Sequence, residues 1–304
     1  MTTAQVGVSS AADLVQVMPR RWWRRRRTAR IPIGIWLAIT VGVALVVLAA
    51  IAPLITTHDP VHAELANRLI PPAWVSGGDP SYLLGTDTFG RDIFTRLLYG
   101  ARISLGVAAL SIVFGGLVGA VVGIIAGYFG GWVDSLLMRL VDIFLAFPTL
   151  LIAIALAVAI GPSFQNIVIV ISILLWPRIA RQVRGDAMVV TTQGHMEYAK
   201  GIGIRPWRAM LTHVLPNTMP TILVISTLEL GHVILLEASL GFLGAGVPAP
   251  TPSWGQMVAE GQAYLATGWW ISLWPGLAIM ATVLIFNAIG DWLREFLDPR
   301  LKNR

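Results

Sequence analysis

Two carboxylates, Glu229 and Glu237, stand within a stretch that is otherwise almost wholly apolar. An ionisable side chain in such a setting costs several kcal/mol unless it faces protein or water. Three uses suit the pair: structural pairing, lining of a polar path, or proton relay, with structural pairing carrying most weight. Asp87 and Asp92 have the composition of a cation site, but they sit beside Arg91 and turn glycines, so they read as a capped turn. His58 and His62 have the four-residue spacing that binds metal on a helix, yet they flank Asp59 and Pro60, which favour a turn. No metal or other cofactor is expected.

Catalytic constellations are missing from the sequence. The chain has only Lys200 and Lys302, and neither ends a GxxxxGK[ST] phosphate loop. No HExxH and no GxSxG occurs. The expectation is a protein that is not an enzyme and has no nucleotide site of its own.

The elements that would hold these residues are membrane spans. Of 304 residues 56% are hydrophobic and 12% charged, with mean hydropathy +0.72, where soluble domains carry about 25% charged residues. There is no cysteine, so disulfides and thiolate sites are excluded. A helix needs about 20 apolar residues to cross a bilayer. Six segments approach that: Ile31 to Ile55, Ile103 to Ala126, Ile143 to Ile160, Phe164 to Pro177, Ile222 to Leu243 and Trp270 to Ile289. The fourth is short, separated from the third only by Gly161 and Pro162, and Arg178 and Arg181 then snorkel or mark an early exit. The expected fold is an all-α integral membrane protein with six transmembrane helices. With both termini inside, 18 of the 22 Lys and Arg residues fall on the inner side. The run from Arg20 to Arg27, interleaved with Trp22 and Trp23, reads as a membrane-surface anchor.

Along the chain this gives a basic cytoplasmic tail over 1–30 and a first span with a long outer loop over 31–101. A five-helix core covers 102–290, with a charged inner loop at 190–216, and a cytoplasmic tail covers 291–304. Ile93, Phe94, Leu97 and Leu98 share one helical face opposite Arg91, Asp92, Thr95 and Arg96, the pattern of an interfacial helix. Gly115, Gly119, Gly123 and Gly127 recur every four residues and form a smooth stripe for close helix packing, the partner being open. Arg139 and Asp142 are spaced to pair across one helical turn, and Pro148 should kink the third span.

The charged island Met196 to Asn217 has the spacing of a docking loop, with Glu197, Ala199 and Gly203 followed by Leu215 and Pro216. Gly203 is expected to end a short helix in the left-handed conformation and Pro216 to halt a second piece before the fifth span. This pattern resembles the EAA loop of permease subunits of ATP-binding-cassette importers, with Tyr198 and His213 departing from it. GTDTFGRD at 85–92, the residues Tyr99, Gly100, Arg102, Ser104 and Leu105, LLEASLGFLGAG at 235–246 and the run Gly290 to Arg300 resemble the DppC/OppC-type permeases of dipeptide and oligopeptide importers. That resemblance implies the type I importer permease fold and a second, DppB/OppB-like permease subunit. It also implies two ATPase subunits docked through the Glu197 to Pro216 loop, an extracytoplasmic peptide-binding protein and a peptide substrate. It places Glu237 facing the protein interior. Similar permeases carry nickel complexes, glutathione or haem. An ion-coupled secondary transporter is the rival from the carboxylates, though no internal repeat supports it.

Overall fold

The computed structural model describes residues 32–297, and from Gly34 onward they form one compact unit. The basic run and the end of the C-terminal tail lie outside the described residues. Among the described residues the regular elements are helices, with a single isolated bridge between Thr86 and Asp92 in the long loop over 56–92. In chain order the main elements are α1 (Ile33–Ala50), α2 (Ile93–Phe129), α3 (Gly131–Leu145), α4 (Thr149–Ile160), α5 (Phe164–Thr191), α6 (Gly194–Gly201), α7 (Pro206–Phe242), α8 (Trp254–Gln262) and α9 (Trp270–Leu297). Helices α1, α2, α5, α7 and α9 are long and apolar enough to cross a membrane, and α3 with α4 makes a sixth span if the bent pair counts as one.

Helix α2 differs from the sequence expectation. Its 37 residues run unbroken, so residues 93–98 are the start of a span and not a separate interfacial helix. At about 1.5 Å per residue the helix is roughly 55 Å long. Asp92 caps it by accepting from the Thr95 backbone N–H at 2.9 Å and hydroxyl at 2.6 Å. Its polar face turns inward: Arg96 is buried at 1% exposure among acidic partners described below, so no water interface is needed for it.

The glycine stripe of α2 faces α5. An added β-carbon would lie 3.0 Å from the Ser172 carbonyl at Gly115, 2.6 Å from that of Trp176 at Gly119, 2.6 Å from that of Ala180 at Gly123 and 2.8 Å from that of Arg184 at Gly127. Both series climb four residues at a time in the same direction, so α2 and α5 run parallel with backbones touching along the seam. Without a hydrophobic driving force in lipid, such close packing supplies helix association. Val107, Ile124, Ile167, Ile171, Ile179 and Val183 fill the core beside it.

Prolines behave differently by context. Pro148 produces an 85° bend between α3 and α4, sharper than a kink, because it restricts the residue before it to extended geometry. Pro177 leaves α5 helical through to Thr191, so the fourth span is longer than the sequence suggested. Packed neighbours let a membrane helix carry an internal proline. Arg178 and Arg181 lie within the helix, not past its end, and pair with Glu229 and Asp142. That pairing gives Asp142 to α5 in place of the expected Arg139.

Candidate coupling and translocation sites

Helix α6 is anchored by Met196, at 0% exposure in a core that includes Ala187, Val190, Ala209 and Val214, and by Ala199, buried three residues on at 3% exposure. Glu197 is the fourth residue of this helix, and its side chain lies outside the described part of the structure. Gly203 has φ +78°, and beyond it the Ile204 N–H donates to the Ala199 carbonyl at 3.2 Å, closing the helix end. An added β-carbon there meets nothing within 4 Å, so the demand for glycine is conformational and not one of space. On the far side Tyr198, Ile202, Trp207 and Leu211 are exposed, an apolar surface rooted in a buried base.

Pro216 does not halt a second piece. Helix α7 runs from Pro206 to Phe242 and absorbs the proline with a π turn over Met210–Val214, closed by the Leu215 N–H on the Met210 carbonyl. Such turns widen the helix by one residue and occur frequently at functional sites. Polar side chains take up carbonyls around it: Thr212 donates to Arg208 at 2.7 Å, Asn217 to His213 at 2.7 Å and Thr218 to Val214 at 3.1 Å. Leu215 is half-buried and Pro216 exposed.

Above this segment α5 presents three arginines at three-residue intervals. Arg184 binds Asp134 of α3 through two nitrogens, Arg181 binds Asp142 of α3, and Arg178 approaches Glu229 of α7 at 3.8 Å. Asp186 accepts from the Thr221 hydroxyl, adding a second α5 to α7 tie. Of the two carboxylates singled out from the sequence, Glu229 is thus beside a cation, whereas Glu237 is fully buried. The hydroxyls of Ser104 and Ser253 face Glu237, although neither of its oxygens reaches hydrogen-bond geometry. The structure does not bring Glu229 and Glu237 together: two helical turns separate them and their neighbours differ.

At the opposite end a closed charge cluster joins the 82–92 loop, α2 and α8. Arg91 donates to Asp87 at 2.6 Å and to Glu260 at 3.1 Å, and Arg96 donates to Glu260 at 2.9 Å. Asp87 also accepts the backbone N–H groups of Phe89 and Arg91. Two cations and two anions balance, which is what makes burial tolerable. The Trp254 indole donates to the Leu97 carbonyl at 3.0 Å and locks α8 onto α2 beside Gly100.

Residues 119–303 match the family described as "Binding-protein-dependent transport system inner membrane component". The chain belongs to that family. It is 42% identical over 258 residues, 85% of this chain and 83% of the relative, to the dipeptide transport system permease protein DppC of Alkalihalophilus pseudofirmus. It is 41% identical over 255 residues, 84% of each, to the di/tripeptide transport system permease protein DppC of Pseudomonas aeruginosa. Its fold matches a chain of the inward-facing MetNI methionine ABC transporter with a TM-score of 0.56 at 20% identity, over 68% of this chain and 98% of that one. This permease is accordingly a multi-pass inner-membrane protein.

Sequence reasoning missed the roles of Glu260, Arg96, Arg178 and Asp134 in this permease. Glu260 had no local charge signal: its arginine partners lie more than 160 residues away in sequence. The regular spacing of Arg178, Arg181 and Arg184 was visible and could have prompted a search for three acidic partners on neighbouring spans.

Proposed function

We propose that this permease is one of two membrane subunits of an ATP-driven importer of di- or oligopeptides, with both termini on the cytoplasmic side. A similar permease completes the translocation path, two ATPase subunits dock at α6 and the start of α7, and an extracytoplasmic binding protein delivers peptide to the other face. The observation that carries the coupling role is the α6 segment itself. It roots in the core through Met196 and Ala199 while holding Tyr198, Ile202 and Trp207 outward, so force applied to the exposed side reaches the spans through a packed contact. ATP hydrolysis belongs to the docked subunits, and alternating access follows from rocking of the spans. Glu197, Ala199, Gly203, Leu215 and Pro216 form the coupling segment, and Glu229 and Glu237 are the candidates for the path. Lipid meets exposed side chains such as Trp36, Leu37 and Val43 of α1.

The test uses the complex reconstituted in vesicles with its binding protein, reading uptake and peptide-stimulated ATP hydrolysis together. Gly203→Asp forces a side chain into a left-handed backbone at about 1 kcal/mol or more, and Glu197→Ala removes the loop's carboxylate. Both variants should remain in the membrane yet lose peptide uptake or release the ATPases. Wild-type uptake and hydrolysis in both would remove the coupling role.

A further inference from the structure

Helix α7 runs on through a stretch in which its backbone ladder is incomplete. The π turn over Met210–Val214 closes on the Met210 carbonyl, one residue further back than an α bond from Leu215 would reach. Pro216 and Pro220 follow, and neither brings an N–H, so the Pro216 carbonyl loses the donor that residue 220 would otherwise supply. Side chains stand in for the ladder: the Thr218 hydroxyl reaches both the Val214 and Leu215 carbonyls, at 3.1 and 3.2 Å, and the Asn217 amide donates to that of His213 at 2.7 Å. The two faces of the stretch are unequal. Val214 and Thr218, one above the other on the helix, are fully buried, whereas Leu211, Thr212, Pro216 and Asn217 are exposed. One side is held and the other has room. Just beyond Pro220 the Thr221 hydroxyl donates to Asp186, which ties the following arm of α7 to α5, while the arm before the stretch carries the exposed Trp207 of the docking surface.

We propose that Met210–Pro220 is a hinge in α7, at which a push on the docked segment bends the helix about Val214 and Thr218 instead of shifting it whole. Helix bends concentrate at prolines and π turns, and hinges are a few residues that absorb the change in backbone angles. A side-chain donor such as Thr218, already within reach of two carbonyls, can follow either as the angle opens. Pro177 is the contrast: α5 is α-helical on both sides of it, and the glycine seam of α2 holds that helix along its length. This inference rests on the coupling reading and adds to it the point at which the motion divides.

Pro220→Ala supplies the missing N–H, and deletion of Thr212 turns the π turn into a regular α turn with both arms kept in register. In the complex reconstituted with its binding protein, either change should lower the peptide moved per ATP hydrolysed about five-fold. Hydrogen exchange of the amides over 211–221 should change in the unaltered complex when a non-hydrolysable ATP analogue closes the ATPase subunits. That response should be lost in Pro220→Ala. Pro177→Ala, which restores an N–H in α5, should keep both the ratio and the response. A wild-type ratio in either variant once assembled, no exchange response in the unaltered complex, or an equal loss in Pro177→Ala overturns the hinge. The coupling reading fails separately, if the ATPase subunits do not co-purify with the unaltered permease.

Discussion

Charge is used in two ways at the two ends of this permease. The cluster of Asp87, Arg91, Arg96 and Glu260 is shut away, with Arg96 and Asp87 each at 1% side-chain exposure and every member touching at least two others or a backbone N–H. The Arg181 to Asp142 pair is open, at 52% and 59% exposure, and joins single side chains. A closed neutral cluster fixes geometry, because removing any member strands a buried charge. An exposed pair gains little from its partner and loses little without it. The Asp87 cluster is thus built to keep one arrangement, and the Arg181 to Asp142 pair to permit several.

The largest effect should come from breaking the closed cluster. Arg96→Ala leaves Glu260 and Asp87 with an uncompensated charge and should cost about 3–5 kcal/mol, read as a large drop in the melting temperature of the purified complex or failure to accumulate. A melting temperature within error of wild type would mean the cluster is ornamental and that the contrast between the ends is false.

Next comes the α2 and α5 seam, which connects the two ends. Gly123→Leu drives a side chain into the Ala180 carbonyl, 2.6 Å from the new β-carbon, and should lower assembly severely. Val121→Leu, on the exposed side, should be silent. Val122 is not a neutral control, since it packs on the cluster of Val141, Trp176 and Ala180. Equal losses from Gly123→Leu and Val121→Leu would make the stripe incidental.

The smallest effect is expected at the open pair. Arg181→Ala should shift stability by less than about 1 kcal/mol, and any change should appear in transport rate before it appears in melting. A loss as large as that of Arg96→Ala would show that both ends are clamps.

Features written in local spacing were legible in the sequence. The stripe at 115, 119, 123 and 127 announces a helix face without reference to anything else, and Gly203 declares its left-handed turn, seen at φ +78°. Features set by distant partners were not. Arg96 reads as solvent-facing because its acidic partner is Glu260, and Asp142 reads as paired with Arg139 because Arg181 is far along the chain. Prolines were over-read: Pro177 and Pro216 lack the N–H that a lone helix needs, but a packed neighbour and a π turn supply what is missing. The carboxylates were found by their rarity, yet the contrast between Glu229, beside a cation, and Glu237, sealed among serines, needed three dimensions.

The parallel seam has a mechanical meaning. Each glycine of α2 sits over a carbonyl-bearing turn of α5, so a slide by a single residue, about 1.5 Å, would bring side chains where only hydrogens fit. The next tolerated register lies a full glycine interval away. The two helices are therefore toothed together like a rack, unable to creep and obliged to turn as one beam. A push at one end of the pair is delivered to the other undiminished by slippage.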